Sequence, residues 1–381
     1  MTYQLTSEQQ QLQDMLRRVA TEKVAPRAAE IDATAEYPHD MFALLQELGL
    51  FSLPFGAEFG GMDSTLAACI AVEELGRVCY NTAYLLVVQW TPFGAILAGG
   101  TEEQKQRLLP GLSSGELRAG ISVTEPQSGS DVAGIKTRAR RDGTDYVING
   151  AKIWCTNALH SDFILVAART GEDDQPGGLN LFIVETDTPG LTIGGKEPKM
   201  GARGVPSSPL FLDDVRVPVE NRLGEEGLGF KVVMEAFNHA RPIIGSRGVG
   251  LAQGAMDHAV EFIQSRRAFG QNVSDFQGVR WMIADMAIQI EASRRLVYNA
   301  ATAVDEGLRG HQLGKLSAIA KCHASDTAME VATNAMQLFG AASISDEYPI
   351  NRYFRDAKVL QIVEGTNQIQ RNIIARNILG K

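Results

Sequence analysis

Apolar residues recur at helical spacing almost from the first residue. Leu12, Met15, Leu16 and Val19 fall on one helical face, Ser7 and Gln10 have the spacing of a capping box ahead of them, and Pro26 is expected to end the run. Helical patterns continue over residues 41–48, 65–78, an apolar stretch around 84–97, and 102–109, so that residues 1–118 read as an all-α domain. The period then changes. Residues 146–148 and 152–154 flank Asn149-Gly150, a dipeptide that favours a tight hairpin turn, and residues 163–167, 181–184 and 210–217 are short apolar strands. Glycine and proline punctuation is dense here, as at Pro176-Gly177-Gly178 and Pro189-Gly190, which gives a β domain over residues 119–224. From about Glu225 long helical periodicity returns. Val279, Met282, Ile283, Met286 and Ile290 share a face and Gly307 is a stop signal, so residues 225–381 form a helical third domain.

A chain of 381 residues can bury a substantial core. Its 36 basic and 45 acidic residues give a net charge of −9, which weighs against a nucleic-acid-binding surface. Cys69, Cys79, Cys155 and Cys322 are widely spaced, with no CxxC and no Cys/His ligand cluster, so no metal site is expected and a reducing compartment is the natural setting. The N-terminus enters a polar helix without a targeting pattern, and no apolar run approaches the ~18 residues of a membrane span, which together read as a complete cytoplasmic protein. Gly248-Val249-Gly250-Leu251-Ala252-Gln253-Gly254 looks like a dinucleotide loop. It sits inside a helical pattern with no strand before it, so its small residues are read as allowing close helix packing.

Three segments carry the chemistry. Val363-Glu364-Gly365-Thr366-Asn367-Gln368-Ile369-Gln370-Arg371 places one carboxylate beside a glycine, an arrangement that on its own more often marks a solvated turn. Upstream stand Val123-Thr124-Glu125-Pro126-Gln127-Ser128-Gly129-Ser130-Asp131 and Ile153-Trp154-Cys155-Thr156-Asn157. In this order the three resemble the acyl-CoA dehydrogenase family of flavoenzymes, and the likeness runs over essentially the whole chain. It implies an α+β multidomain fold: an N-terminal α-helical domain, a middle β-barrel domain and a C-terminal four-helix bundle. It also implies FAD, a homotetramer built as a dimer of dimers, an acyl-CoA substrate, and electron-transferring flavoprotein as the acceptor of electrons.

Desaturating a thioester needs a base for the α-proton and an acceptor for the β-hydride. No side chain accepts hydride, so a cofactor is obligatory, and a buried carboxylate can be the base. Glu364 matches the position at which most of the family carries that base, with flavin N5 as hydride acceptor. Some members place it on a helix immediately before an arginine equivalent to Arg241, where this chain has Ala240. The resemblance further implies that the thioester carbonyl is polarised by the Glu364 backbone N–H and a flavin ribose hydroxyl.

For the cofactor, the resemblance implies one wall from residues 121–130, including Ile121, Val123, Thr124, Gly129 and Ser130, with Ser130 also towards the substrate. Trp154 and Thr156 form a second wall; without the neighbouring motif Trp154 would read as a hairpin core aromatic. Arg266 resembles an arginine on the FAD pyrophosphate, a task suited to a bidentate guanidinium, although a lone arginine at a helix end is usually solvated. Phe269, Gln277, Gln337, Leu338, Gly340 and Ala341 match further contacts, which in the family cross a subunit boundary, and Thr366, Asn367 and Gln368 complete the set. Where relatives often show further glycines this chain reads Gly340-Ala341-Ala342-Ser343, whose methyl groups alter the approach to the adenosine.

Asn238, Arg241 and Gly365 match substrate contacts, with Asn238 where many relatives have Asp, and His239 reads as structural. The helix over residues 81–94 should line the acyl pocket. It holds no charged residue, which favours an uncharged acyl group, and with Trp90 on it and Val363 before the base the pocket is expected to be wide and shallow, for a short, branched or cyclic acyl chain. The same scaffold supports oxidases, enoyl-CoA reductases and desulfinases, the last of which can lack the glutamate. A non-catalytic acyl-CoA-binding protein would show a disabled base or flavin site.

Overall fold

The structure is a computed structural model that describes residues 5–170 and 178–380. The glycine–proline punctuation at Pro176-Gly177 lies outside the described residues.

Among the described residues six α-helices make the N-terminal layer: α1 (Ser7–Val19), α2 (Ala28–Thr34), α3 (His39–Glu47), α4 (Thr65–Gly76), α5 (Tyr80–Gly99) and α6 (Glu102–Ser114). The capping box is one residue earlier than the spacing suggests. Thr6, extended at φ −64°, accepts from Gln9 N while Gln9 Oε1 accepts from Thr6 N, and Ser7 is already helical. Pro26 does not end the run, because a π turn (Ala20–Val24) and a 3₁₀ turn (Ala25–Arg27) pass the chain on to α2. Proline is tolerated there since an N–H in the first turn has no helical acceptor. Contrary to the sequence expectation, α5 is long and apolar enough to cross a membrane, but 72% of its apolar window is buried inside the fold, as expected of a core helix.

The middle layer is a curled seven-stranded sheet in which β1 (Ala119–Ser122), β4 (Phe163–Arg169), β2 (Arg138–Asp142), β3 (Asp145–Thr156), β7 (Ser207–Pro218) and β6 (Leu191–Ile193) are neighbours in that order, with β5 (Leu179–Glu185) also on β4. The Asn149-Gly150 hairpin is not there. Residues 145–156 form one strand, and the turn into it lies at Gly143, φ 64°, where Asp142 pairs with Asp145. Asn149-Gly150 instead faces a bulge in β7: between Ile148↔Val215 and Gly150↔Leu212 the partner strand has an extra residue, Asp214 at φ 49°, and Asn149 both donates to and accepts from it at 2.9 Å. A second bulge, on β3 between Lys152 and Cys155, puts Trp154 at φ 59°.

The C-terminal layer is a helical bundle of α7 (Gly229–Ser265), α8 (Gln277–Asp305), α9 (Gly310–Phe339), α10 (Ile350–Leu360) and α11 (Asn367–Leu379), in which α9 packs on the other four. A small ribbon, β8 (Arg267–Ala268) with β9 (Gln271–Asn272), joins α7 to α8. The glycine-rich stretch lies within α7 as a packing surface. A Cβ at Gly250 would stand 2.2 Å from Glu73 O, at Gly254 1.9 Å from Arg77 O, and at Gly248 3.0 Å from Ala324 O, so α4 and α9 approach this helix at backbone distance.

Candidate active site

Glu364 sits in the connection between α10 and α11. Two successive left-handed residues, Glu364 at φ 52° and Gly365 at φ 92°, turn the chain sharply, and for the glutamate that conformation costs about 1–2 kcal/mol. The turn is held from beneath. Lys321 on α9 donates to Gly365 O and to Asn367 Oδ1, each at 2.9 Å, and Gln370 Nε2 donates to Gly365 O at 2.9 Å. Thr366 caps α11 by accepting from Ile369 N. Gly365 also leaves room for the brace, since a Cβ there would lie 2.7 Å from Gln370 Nε2 and would push that donor away.

The carboxylate so presented has its Oε2 buried with no hydrogen-bond partner among the described residues. Burial raises its pKa to about 7, against the opposing pull of Arg247, Arg241 and Lys321. Burial likewise lowers Arg241 to about 10 and Lys321 to about 8, with Glu364 opposing both. Arg241 is anchored by donating to Asn238 Oδ1 at 2.6 Å, which gives the asparagine a defined task. His239 lies beside Glu235 at 3.7 Å and burial lowers its pKa, consistent with a structural histidine. Ala240, the alternative base position, is buried and apolar.

Sequence reasoning missed Arg247. It is fully buried, its guanidinium carbon lies 4.5 Å from the ring centre of Tyr80 and 4.0 Å from that of Tyr84, and none of its three nitrogens has a hydrogen-bond partner among the described residues. A lone arginine between Ile243 and Val249, in a stretch otherwise apolar or small, was the available signal. Its presence corrects the argument about acyl specificity: α5 carries no cation on its own, but α7 supplies one against it. Trp90 is corrected as well. Its Nε1 donates to Phe51 O at 2.8 Å and its ring is buried in the N-terminal core, so the face of α5 that meets Arg247 carries Tyr80 and Tyr84 instead.

The two segments expected to form the flavin wall come together. Ile153 N donates to Thr124 O at 3.0 Å, which ties the start of the first to the start of the second. Behind them Glu125 forms a fully buried ion pair with Lys152 at 2.7 Å and accepts from Lys136 N at 2.6 Å and Thr137 N at 2.9 Å. Burial opposes this charge, but those donors hold the carboxyl down at about 2. The surface they support suits a flat, hydrogen-bonding aromatic group. The β3 bulge turns Trp154 out of the strand to 52% exposure, not into a core. Ile121, Val123, Thr124 and Thr156 are half-buried, Gly129 and Ser130 are exposed, and Thr156 Oγ1 lies 3.3 Å from Ser207 Oγ.

The remaining predicted contacts divide. Asn367 is consumed by the loop, since its side chain accepts from Lys321 and donates to Ser325 and Asp326; that leaves it no group for a cofactor, while Gln368 is exposed. Arg266 caps α7, Phe269 is 97% exposed, and Gln277 opens α8. Gln337, Leu338, Gly340 and Ala341 end α9 at the same place, because Phe339 stacks on Phe262 of α7 at 4.2 Å. Along α7, residue 266 is about 37 Å from residue 241 at 1.5 Å per residue, so this second group stands far from Glu364 within one chain.

The chain matches the acyl-CoA dehydrogenase N-terminal domain over residues 6–116, the middle domain over 120–215 and the C-terminal domain over 227–379. It is 40% identical over 378 residues to a probable acyl-CoA dehydrogenase of Mycobacterium leprae, covering 99% of this chain and 97% of that one. To the cyclohexane-1-carbonyl-CoA dehydrogenase of Geobacter metallireducens it is 43% identical over 368 residues, 96% of each. The butyryl-CoA dehydrogenase structure from Megasphaera elsdenii superimposes with a TM-score of 0.95 at 37% identity, covering 100% of both chains. With three contiguous family domains and relatives this similar over almost their whole length, the chain belongs to the acyl-CoA dehydrogenase family, oxidoreductases that act on the CH–CH bond of acyl-CoA thioesters.

Proposed function

We propose that this protein is an FAD-dependent α,β-desaturase of a compact acyl-CoA, with Glu364 as the base. The observation that carries this reading is the buried, unpartnered Glu364 Oε2 with a pKa near 7, poised by burial against three cations. A carboxylate so placed can take an activated α-proton and hold it, and the Glu364 backbone N–H is the donor for the thioester carbonyl. Lys321 and Gln370 fix the turn that aims both groups. When bound, FAD supplies the hydride acceptor. Thr124, Trp154 and Thr156 would hold its ring, with Ile121, Val123, Gly129 and Ser130 along the same wall. Arg266, Phe269, Gln277 and residues 337–341 would serve the cofactor of a neighbouring copy, a reading that their distance from Glu364 supports. That makes the working enzyme an oligomer, a homotetramer by family resemblance, passing electrons to electron-transferring flavoprotein.

The acyl group is short, branched or cyclic. Tyr80, Tyr84 and Arg247 crowd the space between α5 and α7, and the Geobacter relative is named for a cyclic thioester. The test is anaerobic mixing of the yellow protein with short, branched, cyclic and long saturated acyl-CoAs while the visible flavin band is followed. Bleaching by the compact thioesters is expected, and Glu364→Gln should retain the yellow colour yet lose the bleaching. Unchanged flavin reduction in that variant would remove Glu364 as the base, and fastest bleaching by a long straight chain would overturn the pocket assignment.

A further inference from the structure

Three buried cations surround the single carboxylate of the site, and two of them have assigned partners. Arg241 donates to Asn238, and Lys321 to Gly365 O and Asn367. Arg247 differs: fully buried, it meets two tyrosine rings, yet its Nε, Nη1 and Nη2 find no acceptor among the described residues. Tyr80 Oη and Glu364 Oε2 are also buried and unpartnered among the described residues, and both are electrostatically coupled to Arg247. A buried donor left without an acceptor is destabilising, and more so when it is charged. Five N–H groups in a rigid fork are suited to an oxygen acceptor, a carboxylate above all.

Arg247 also stands in the right direction. It follows Ala240 by seven residues, about 10 Å along the helix and within about 20° of the same face. Ala240 adjoins Arg241 beside the base, so the backbone of residue 247 lies two turns further along α7, while its guanidinium meets Tyr80 and Tyr84 of α5 and still opposes the pKa-raising burial of Glu364. An acyl chain entering past Glu364 between these helices would present its far end to the guanidinium.

Building on the proposed desaturase reading, we propose that Arg247 is a specificity residue that receives an oxygen acceptor, a carboxylate or a neutral hydroxyl, carried at the distal end of the acyl group. This makes the substrate class compact but oxygenated at its far end, whereas a wholly hydrocarbon chain would leave the guanidinium unpaired against methyl groups.

The test compares three thioesters with the same five-carbon backbone, valeryl-CoA, 5-hydroxyvaleryl-CoA and glutaryl-CoA, bound anaerobically to the FAD-loaded enzyme and measured by calorimetry. The common CoA contribution cancels in the ratios. The wild type is expected to bind at least one oxygenated thioester tenfold or more tighter than valeryl-CoA, and which of the two wins separates a carboxylate from a neutral oxygen. In Arg247→Gln that ratio should fall at least tenfold for the carboxylate, and Arg247→Lys, which keeps the charge without the fork, should fall between. Valeryl-CoA binding as tightly as both oxygenated compounds in the wild type would overturn the proposal without any variant, as would a ratio unmoved by Arg247→Gln. The flavin band recorded in parallel keeps the two readings apart: failure to bleach with every thioester counts against the desaturase assignment, while the binding ratio alone decides the role of Arg247.

Discussion

In a Lys321→Met variant, the buried ammonium that donates to Gly365 O and Asn367 Oδ1 gives way to an apolar chain of similar length. Hydrogen bonds from a charged donor contribute about 1.5–3 kcal/mol each, so roughly 3–6 kcal/mol is at stake. Both acceptors keep a second donor, Gln370 Nε2 at 2.9 Å and Ser325 Oγ at 3.1 Å, which reduces the loss by about half. Against it stands the burial of the charge. A pKa lowered from 10.5 to about 8 means that the buried ammonium costs the fold about 3 kcal/mol at neutral pH, at ~1.36 kcal/mol per unit, and methionine removes that cost. The two effects cancel to within about 2 kcal/mol, so the melting temperature should move by no more than about 5 °C.

The same substitution leaves Glu364 facing two cations instead of three. A unit charge within about 12 Å at an effective dielectric near 20 is worth ~1.4 kcal/mol, about one pKa unit. The acid limb of flavin reduction, near pH 7 in the wild type, should therefore rise by about one unit in the variant. Rapid-mixing measurements across pH with saturating substrate read that limb, and calorimetric melting reads the fold. The depressed lysine adds a second signature: its contribution is present above pH 10.5 and is lost as pH falls through about 8, so the wild type should gain on the variant as pH rises through that window. A melting temperature lowered by more than 10 °C together with an unmoved acid limb would refute the reasoning and leave Lys321 as a strut.

Other outcomes follow from the same balance of burial and charge. Because the Glu364 pKa is raised from 4.5 to about 7, its contribution to stability is present below pH 4.5 and is lost as pH climbs through 7, while the base becomes active over that rise; Glu364→Gln should flatten the stability profile between pH 5 and 8, and an identical profile would count against the assignment. Lys152→Met strands the buried Glu125 carboxylate and should cost roughly 3 kcal/mol in denaturant unfolding, with Glu125→Gln restoring part of it; a loss below 1 kcal/mol would show the backbone donors to be sufficient. Gly150→Ala pushes a methyl to 2.5 Å from Thr137 Oγ1 at φ 151° and should destabilise by about 1–3 kcal/mol; an unchanged melting temperature would mean that the strand can relax there.

The sequence made most elements legible because burial follows period: the α8 stripe and the apolar strands β4, β5 and β7 appear where they were expected. What it hid is non-local. Asn149-Gly150 has the chemistry of a turn, yet the chain runs straight through because the extra residue lies sixty-odd positions away, in β7. Pro26 has the chemistry of a stop, yet two irregular turns carry the helix path past it. Within the candidate site, Glu364 and Gly365 were readable because a loop motif is contiguous. Arg247 was not, since its role depends on tyrosines 163 and 167 residues earlier, and Trp90 was misplaced because the helical face it occupies is fixed only by Phe51.

The glycines of α7 bear on how this enzyme can change. With Glu73 and Arg77 carbonyls lying where a methyl would stand on one side and Ala324 on the other, the helix has no room to slide or rotate. Arg247 is carried on that fixed rod one residue before the first of those glycines, so only its side chain, and not the helix beneath it, can adjust to a different guest. A lineage adapting to a new thioester must therefore exchange side chains at 247, 80 and 84 against an unmoving backbone, and single replacements there should switch substrates in steps and not by gradual broadening.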